Sequence, residues 1–151
     1  MTVAEEGEDE RGVPGEGEEV FVDTSALYAL LDRDDGRHPE ASRIWTHLLE
    51  SGASLWTHSY VLVETFALVQ RRLGPEAVRA LHYDLLPVLD VVWVDEELHR
   101  LAAEALIAPG SRSVSLVDRV SFILMRRRGL RTAFAFDEDF SREGFVMPSL
   151  L

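Results

Sequence analysis

The sequence predicts an α/β fold: a three-layer α/β/α sandwich with a mainly parallel central sheet of four to five strands. Two observations carry this. Short runs of strand-forming apolar residues alternate along the chain with longer segments of helical period, the pattern of a parallel sheet covered on both faces. The length, 151 residues with 46% apolar side chains, suits one ordinary domain with a buried core.

Residues 1–19 stand apart. They hold eight acids against Arg11, with four glycines, Pro14 and almost nothing apolar, so they cannot offset the entropy of ordering and are expected to be a disordered acidic extension. A single domain is expected over 20–151. The extension carries −7 of the net charge of −12, leaving −5 on the domain. All 15 basic residues are arginine, a side chain suited to bidentate phosphate contact, although a genomic base bias produces the same composition. There is no apolar segment after a basic start, no membrane-length run and no cysteine. Neither a secretory signal nor a thiolate zinc site is expected, and a cytoplasmic location fits best.

Val20-Phe21-Val22 reads as the first strand and Ala26 to Leu31 as a helix. Asp32 to Gly36 is a turn, and Pro39 in a first turn opens a helix to about Glu50. Ser54 to Thr57 is a second strand. Ser59 caps a helix to about Arg72, Gly74-Pro75 breaks it, and Glu76 to Asp84 forms another. Val91 to Val94 is a third strand, followed by a helix from Glu96 to about Ala108. Ser115 opens the next helix with Asp118 three residues on, a variant of the capping box, and Gly129 stops it after Arg128. Thr132 to Phe136 is a fourth strand, Asp137 to Phe140 a loop, and Phe145 to Met147 a short last strand.

Four acids fall at positions that call for explanation. Asp23 follows the first strand directly, where open α/β sheets bind ligands, although it also suits the cap of the next helix. Glu64 has Tyr60, Val61, Ala67 and Leu68 as its helical neighbours, which places a carboxylate in an apolar stripe. Asp118 lies on a largely apolar helix, where a capping-box role competes. Asp137 stands just past the fourth strand, and Asp139 could substitute for it. Asp95 also follows a strand, but Glu96 and Glu97 beside it make a helix start sufficient. Converging carboxylates are costly without a cation, and hard oxygen donors select Mg²⁺, with Mn²⁺ able to substitute. Such a centre polarises phosphate oxygens and supports in-line displacement at phosphorus.

The runs Val20-Phe-Val-Asp23-Thr-Ser-Ala-Leu27, Val63-Glu-Thr-Phe66, Ser115-Leu-Val-Asp118-Arg-Val-Ser-Phe122 and Ala135-Phe-Asp137-Glu-Asp-Phe140 resemble, in order, the four motifs of the PIN-domain family. The likeness is greatest to its VapC-type toxin ribonucleases from bacterial toxin–antitoxin systems. The resemblance spans about residues 20–148. It implies that Asp23 and Asp118 coordinate the metal and that Glu64 and Asp137 complete the catalytic cluster, with Thr24, Ser25 and Ser115 in support. It further implies a Mg²⁺-dependent endoribonuclease acting on single-stranded RNA, a homodimer, and a cognate antitoxin protein docked over the groove. The acidic extension departs from the family, whose first strand begins near the start methionine.

Arg112, Arg119, Arg126, Arg127, Arg128 and Arg131 flank the third and fourth motifs and are candidates for RNA phosphate contacts. Arg126 to Arg128 are equally well explained as a helix end favoured by the dipole. The five histidines show no paired ligand spacing, so each is expected at the surface or in a cap. Other enzyme classes lack their residues here. A haloacid dehalogenase-type phosphatase needs an acid where Ser25 stands, a receiver domain needs a lysine, and there is no Gly-x-Ser-x-Gly elbow. The rival from another class is a catalytically silent PIN-like module acting by binding alone.

Overall fold

A computed structural model describes residues 18–148, and residues 1–17 of the expected acidic extension lie outside the described residues. Its sheet has four parallel strands: β1 (Glu19–Val22), β2 (Ser54–His58), β3 (Asp90–Val92) and β4 (Ala133–Phe134), in the order β3-β2-β1-β4. Successive strands step from β1 to β2 to β3 along one side, and the chain then crosses back to place β4 on the other side of β1. The β1/β4 boundary is therefore the point at which strand order reverses. Helices α1 (Thr24–Leu31), α2 (His38–Glu50), α3 (Ser59–Arg72), α4 (Pro75–Ala80), α5 (Glu96–Ile107), α6 (Leu116–Arg128) and α7 (Glu138–Arg142) make up the α component of the expected α/β/α fold. None of them is long and apolar enough to cross a membrane.

β1 is the centre of the core, with Val20, Phe21 and Val22 excluded from solvent on both faces. Phe21 meets Trp56 edge-on at 5.1 Å between ring centroids and stacks on His58 and on Phe140 of α7 at 5.7 and 5.9 Å. Phe122 of α6 meets Phe140 at 5.1 Å, so α6 and α7 close this face of the sheet. Trp56 and His58 share it because side chains two apart on a strand point the same way.

Several boundaries differ from the sequence expectation for identifiable reasons. β4 ends at Phe134, short of Phe136, because the Phe136 N–H is taken by the Ser25 hydroxyl at 2.9 Å. The expected loop at 137–140 is the start of α7, since Asp137 Oδ1 accepts from the Asp139 N–H at 2.9 Å and caps a short helix. The last strand reduces to one bridge, Thr132 to Val146. The helix expected to Asp84 leaves α geometry after Ala80 for a π-helical turn (Leu81–Leu85) and a 3₁₀ turn (Leu86–Val88). Pro87, which has no N–H to donate, lies in the 3₁₀ turn, and Leu86 before it keeps right-handed helical dihedrals (φ −61°, ψ −35°). His58, and not Ser59, caps α3, and the Ser59 hydroxyl instead accepts from the Val94 N–H at 2.9 Å. His58 meets the cap half of the expectation for histidines and not the surface half: it is fully buried, with Nε2 2.9 Å from Ser121 Oγ. Burial pushes its pKa down to about 3, so it is a neutral core residue.

Since Phe21 joins three elements through one aromatic stack, Phe21→Ala is expected to cost about 3–5 kcal/mol of unfolding free energy in a urea titration. A loss under about 1 kcal/mol would mean that the stack is not the centre of the core.

Candidate active site

Asp23 and Asp137 come together because β1 and β4 are neighbours. The Asp23 N–H donates to Phe134 O at 3.1 Å, continuing the ladder by one residue and placing both acids outside the same pair of strand ends. Asp23 does cap α1: the Ser25 N–H and hydroxyl both donate to its Oδ2, at 3.1 and 2.8 Å. The Ser25 oxygen in turn accepts from Phe136 N–H, so one serine ties the first acid to the segment carrying the fourth. One carboxylate thus both caps the helix and lines the groove, its orientation set by hydrogen bonds to a single oxygen.

Asp118 arrives on the first turn of α6. Ser115 Oγ accepts from the Asp118 N–H at 3.0 Å, which is the forward half of a capping box. The return bond is not made, because the Asp118 carboxylate turns to the other acids. Asp118, Asp137 and Asp139 each offer a carboxylate oxygen, mutually within 4.8 Å. Asp139 is therefore a companion of Asp137, and the short α7 presents both.

Glu64 enters from α3, and its setting differs from the sequence expectation. It is exposed, as is Ala67, so the apolar stripe of α3 ends at the groove wall and does not enclose the carboxylate. A hydroxyl chain holds it: Thr65, fully buried, donates to Thr24 Oγ1 at 3.1 Å, and Thr24 donates to Glu64 Oε1 at 2.7 Å. Asp23, Thr24, Glu64, Asp118, Asp137 and Asp139 all line one open groove of about 600 Å³.

The electrostatics follow from burial. Asp23, 4% exposed, has its pKa pushed up to about 6, mainly by desolvation, with repulsion from Glu64 and Asp137 adding to it and the Ser25 hydrogen bonds opposing it. Asp118, 8% exposed, is raised higher still, again first by desolvation and then by the charges of Asp23 and Asp137. An all-carboxylate, oxygen-only donor set, two of whose members, Asp23 and Asp118, are buried with their ionised forms disfavoured, fits a hard divalent cation.

The arginines separate into two groups. Arg112 bonds Asp139 at 3.2 Å and also pairs with Glu143, which pairs with Arg126 in turn. These two guanidiniums hold Glu143 below the usual carboxylate range, Arg126 most strongly, and are themselves largely neutralised. Arg119 donates to the Arg112 carbonyl at 2.8 Å, and its Nε is buried without a partner. Arg126 lies eight residues beyond Asp118, about 12 Å along α6. Arg128 stands over Trp56 at 4.4 Å and pairs with Glu19, at the opposite end of β1 from Asp23. Arg131 precedes β4 and lies at that end too. The structure thus does not bring Arg127, Arg128 or Arg131 to the acids, because α6 and β4 run along the sheet's length, whereas Arg126 reaches the edge of the cluster through Glu143, which shares Arg112 with Asp139.

Sequence reading passed over Arg71, which lines the groove. Its signal was available: Arg71 follows Glu64 by seven residues, two helical turns along the same face.

Residues 20–146 match the sequence profile of the PIN domain. The chain belongs to the PIN-domain family. Among its relatives in that family is the 23S rRNA-specific endonuclease VapC20 of Mycobacterium tuberculosis. The proteins of strains CDC 1551 / Oshkosh and ATCC 25618 / H37Rv are each 41% identical over 128 residues, 84% of this chain and 95% of theirs. The crystal structure of VapC20, described as a sarcin–ricin loop cleaving toxin, superposes with a TM-score of 0.75 at 39% identity, covering 85% of this chain and 98% of that one. The four-stranded parallel sheet and the order of the acid-bearing elements are thus those of a PIN fold.

The raised carboxyl pKa values set the pH dependence of the metal-free protein. A folded state that binds protons more tightly than the unfolded chain loses stability as pH rises, here from about pH 4 through about 6 as Asp23 ionises and on above that as Asp118 follows. The Asp23 shift alone corresponds to a loss on the order of 3 kcal/mol. Buried neutral His58 acts in the opposite sense below the ordinary histidine range, so the melts are read above it: in chelator they are expected to fall by several degrees between about pH 6.5 and 8.5, and added Mg²⁺ or Mn²⁺ should restore the loss, more at the higher pH. A metal-free melting temperature that rises over this range would contradict the electrostatic assignment.

Proposed function

We propose that this chain is a metal-dependent endoribonuclease, the toxin of a toxin–antitoxin pair, acting on 23S ribosomal RNA at or near the sarcin–ricin loop. The observation that carries the proposal is the convergence of Asp118, Asp137 and Asp139 within one open groove that Asp23 and Glu64 also line. The similarity to VapC20 over most of both chains supports the choice of RNA. Asp118, Asp137, Asp139 and Asp23 would hold Mg²⁺, with Mn²⁺ as a substitute. A divalent cation bound there polarises a phosphate oxygen and stabilises the charge of in-line displacement at phosphorus.

The remaining chemistry falls to this chain's own groups. Glu64 has one oxygen occupied by the Thr24 proton, so its other oxygen can accept a proton from the attacking water while the phosphorus–oxygen bond to the leaving ribose breaks and that ribose oxygen takes up a proton from solvent. Thr65 and Thr24 fix the direction in which that oxygen faces. Ser25 and Ser115 set the orientation of Asp23 and of the helix bearing Asp118. Arg71, on the same groove wall as Glu64, is placed to receive a neighbouring phosphate.

An antitoxin covering this groove would silence the enzyme, and we place the active toxin in the cytoplasm, where its ribosomal substrate is found. A homodimer follows from the family likeness. Trp93 and Ile107, 72% and 77% exposed, are apolar side chains that a protein contact would cover.

Purified protein incubated with 23S rRNA is expected to cut it in Mg²⁺ or Mn²⁺ and to lose all cleavage in chelator. Glu64→Gln should lower the cleavage rate by about 10²–10⁴-fold while retaining metal-induced stabilisation. Cleavage that survives chelation would overturn the mechanism. No cleavage of any RNA with any divalent metal would favour a module that acts by binding alone.

A further inference from the structure

A second recess, of about 310 Å³, opens off the acid groove and shares Ser25, Leu68 and Asp137 with it. Its distinctive feature is a pair of guanidiniums seated on aromatic rings. Arg37 stands 4.8 Å from the centroid of Phe136, and Arg72 stands 5.9 Å from that of Tyr28. Among the described residues neither arginine is in an ion pair, in contrast to Arg112 and Arg126 with Glu143.

This recess is held in fixed relation to the acids. Phe136 is tied by its N–H to Ser25, and Ser25 by its hydroxyl to Asp23. Arg37 is anchored by a turn rather than a free loop. Its N–H donates to Asp35 Oδ1 at 2.8 Å, the Asp35 N–H donates to Asp32 O at 3.0 Å, and His38 Nδ1 lies 2.8 Å from Ala29 O. The stack therefore presents a flat, cationic surface at a set distance from the metal-binding carboxylates. Unstacked RNA bases bind such aromatic and guanidinium planes, largely independently of sequence.

We propose that this recess is the subsite for the nucleotide flanking the scissile phosphate, its base stacked on the Phe136–Arg37 pair and its phosphate drawn to Arg72. The proposal rests on the reading of the acid groove as a ribonuclease centre. Charge sets the direction of the strand. Asp35 and Asp137 border the recess on the Phe136 side and repel phosphate, whereas Arg72 lines its α3 side and Arg71 the adjoining wall of the acid groove, so the backbone runs along α3 and the base turns inward. Asp35 also offers an acceptor to a base N–H.

The test uses a 23S rRNA sarcin–ricin hairpin whose cut has been mapped, together with hairpins in which each nucleotide flanking the cut is made abasic in turn. With wild-type protein, removal of one particular base is expected to lower kcat/KM by about 10- to 100-fold. Phe136→Leu keeps the apolar packing and Arg37→Ala alters only an exposed side chain, so both should fold. In each, the same abasic change should cost under about threefold, and intact hairpin should already be cut more slowly. Arg72→Ala should flatten the salt dependence of binding by about one unit of slope. Variants as sensitive to the abasic change as wild type would overturn the subsite while leaving the ribonuclease reading intact. A wild-type protein that cleaves no RNA would remove both.

Discussion

The structure depends on bringing ionisable carboxylates together at one end of a parallel sheet. Nothing in the apolar core favours this. Desolvation and mutual repulsion raise Asp23 and Asp118 well above the usual carboxylate range, so metal-free folding proceeds against the charge of its own site. What holds the acids in place is the rest of the molecule: the crossover that sets β4 beside β1, the aromatic stack on Phe21 that anchors α6 and α7, and the hydroxyls of Ser25 and Thr24 that orient Asp23 and Glu64.

Helix caps and groove acids coincide. Asp23 and Asp137 each begin a helix and each look into the groove, and Ser115 caps the helix that carries Asp118. A helix N-terminus offers unpaired N–H groups that partly compensate a buried negative charge, so a cap position is a cheap place to keep a carboxylate pointed in one direction. Glu64 lacks that support. The buried Thr65–Thr24 chain supplies its orientation instead, which suits a group that handles a proton rather than one that stays ionised against a cation.

The acids were legible in the sequence because each follows a strand or interrupts a helical stripe, and the alternation of strands and helices made a parallel sheet predictable. What was not legible depended on three-dimensional direction. The apolar neighbours of Glu64 looked like an enclosing stripe, yet Ala67 borders an open groove. Asp139 could be read only as a substitute for Asp137, because the helix that presents both depends on a local cap. Sequence proximity to the third and fourth motifs pointed to Arg126 and Arg131, but Arg131 lies at the far end of β4 and Arg126 is engaged by Glu143. Arg37 lies near no motif and Arg72 six residues beyond the second, and both reach the site through folding of the 32–37 turn and α3.

The central claim, that the carboxylates are assembled against their own repulsion for a divalent cation, is tested most directly by the stability of Asp118→Asn. In chelator at pH 8 the variant is predicted to be more stable than wild type by about 1–3 kcal/mol, since a buried charge among like charges has been removed. Calorimetric titration with Mn²⁺ should show its binding much weakened in the same variant. A variant less stable than wild type that still binds Mn²⁺ as tightly would contradict the account.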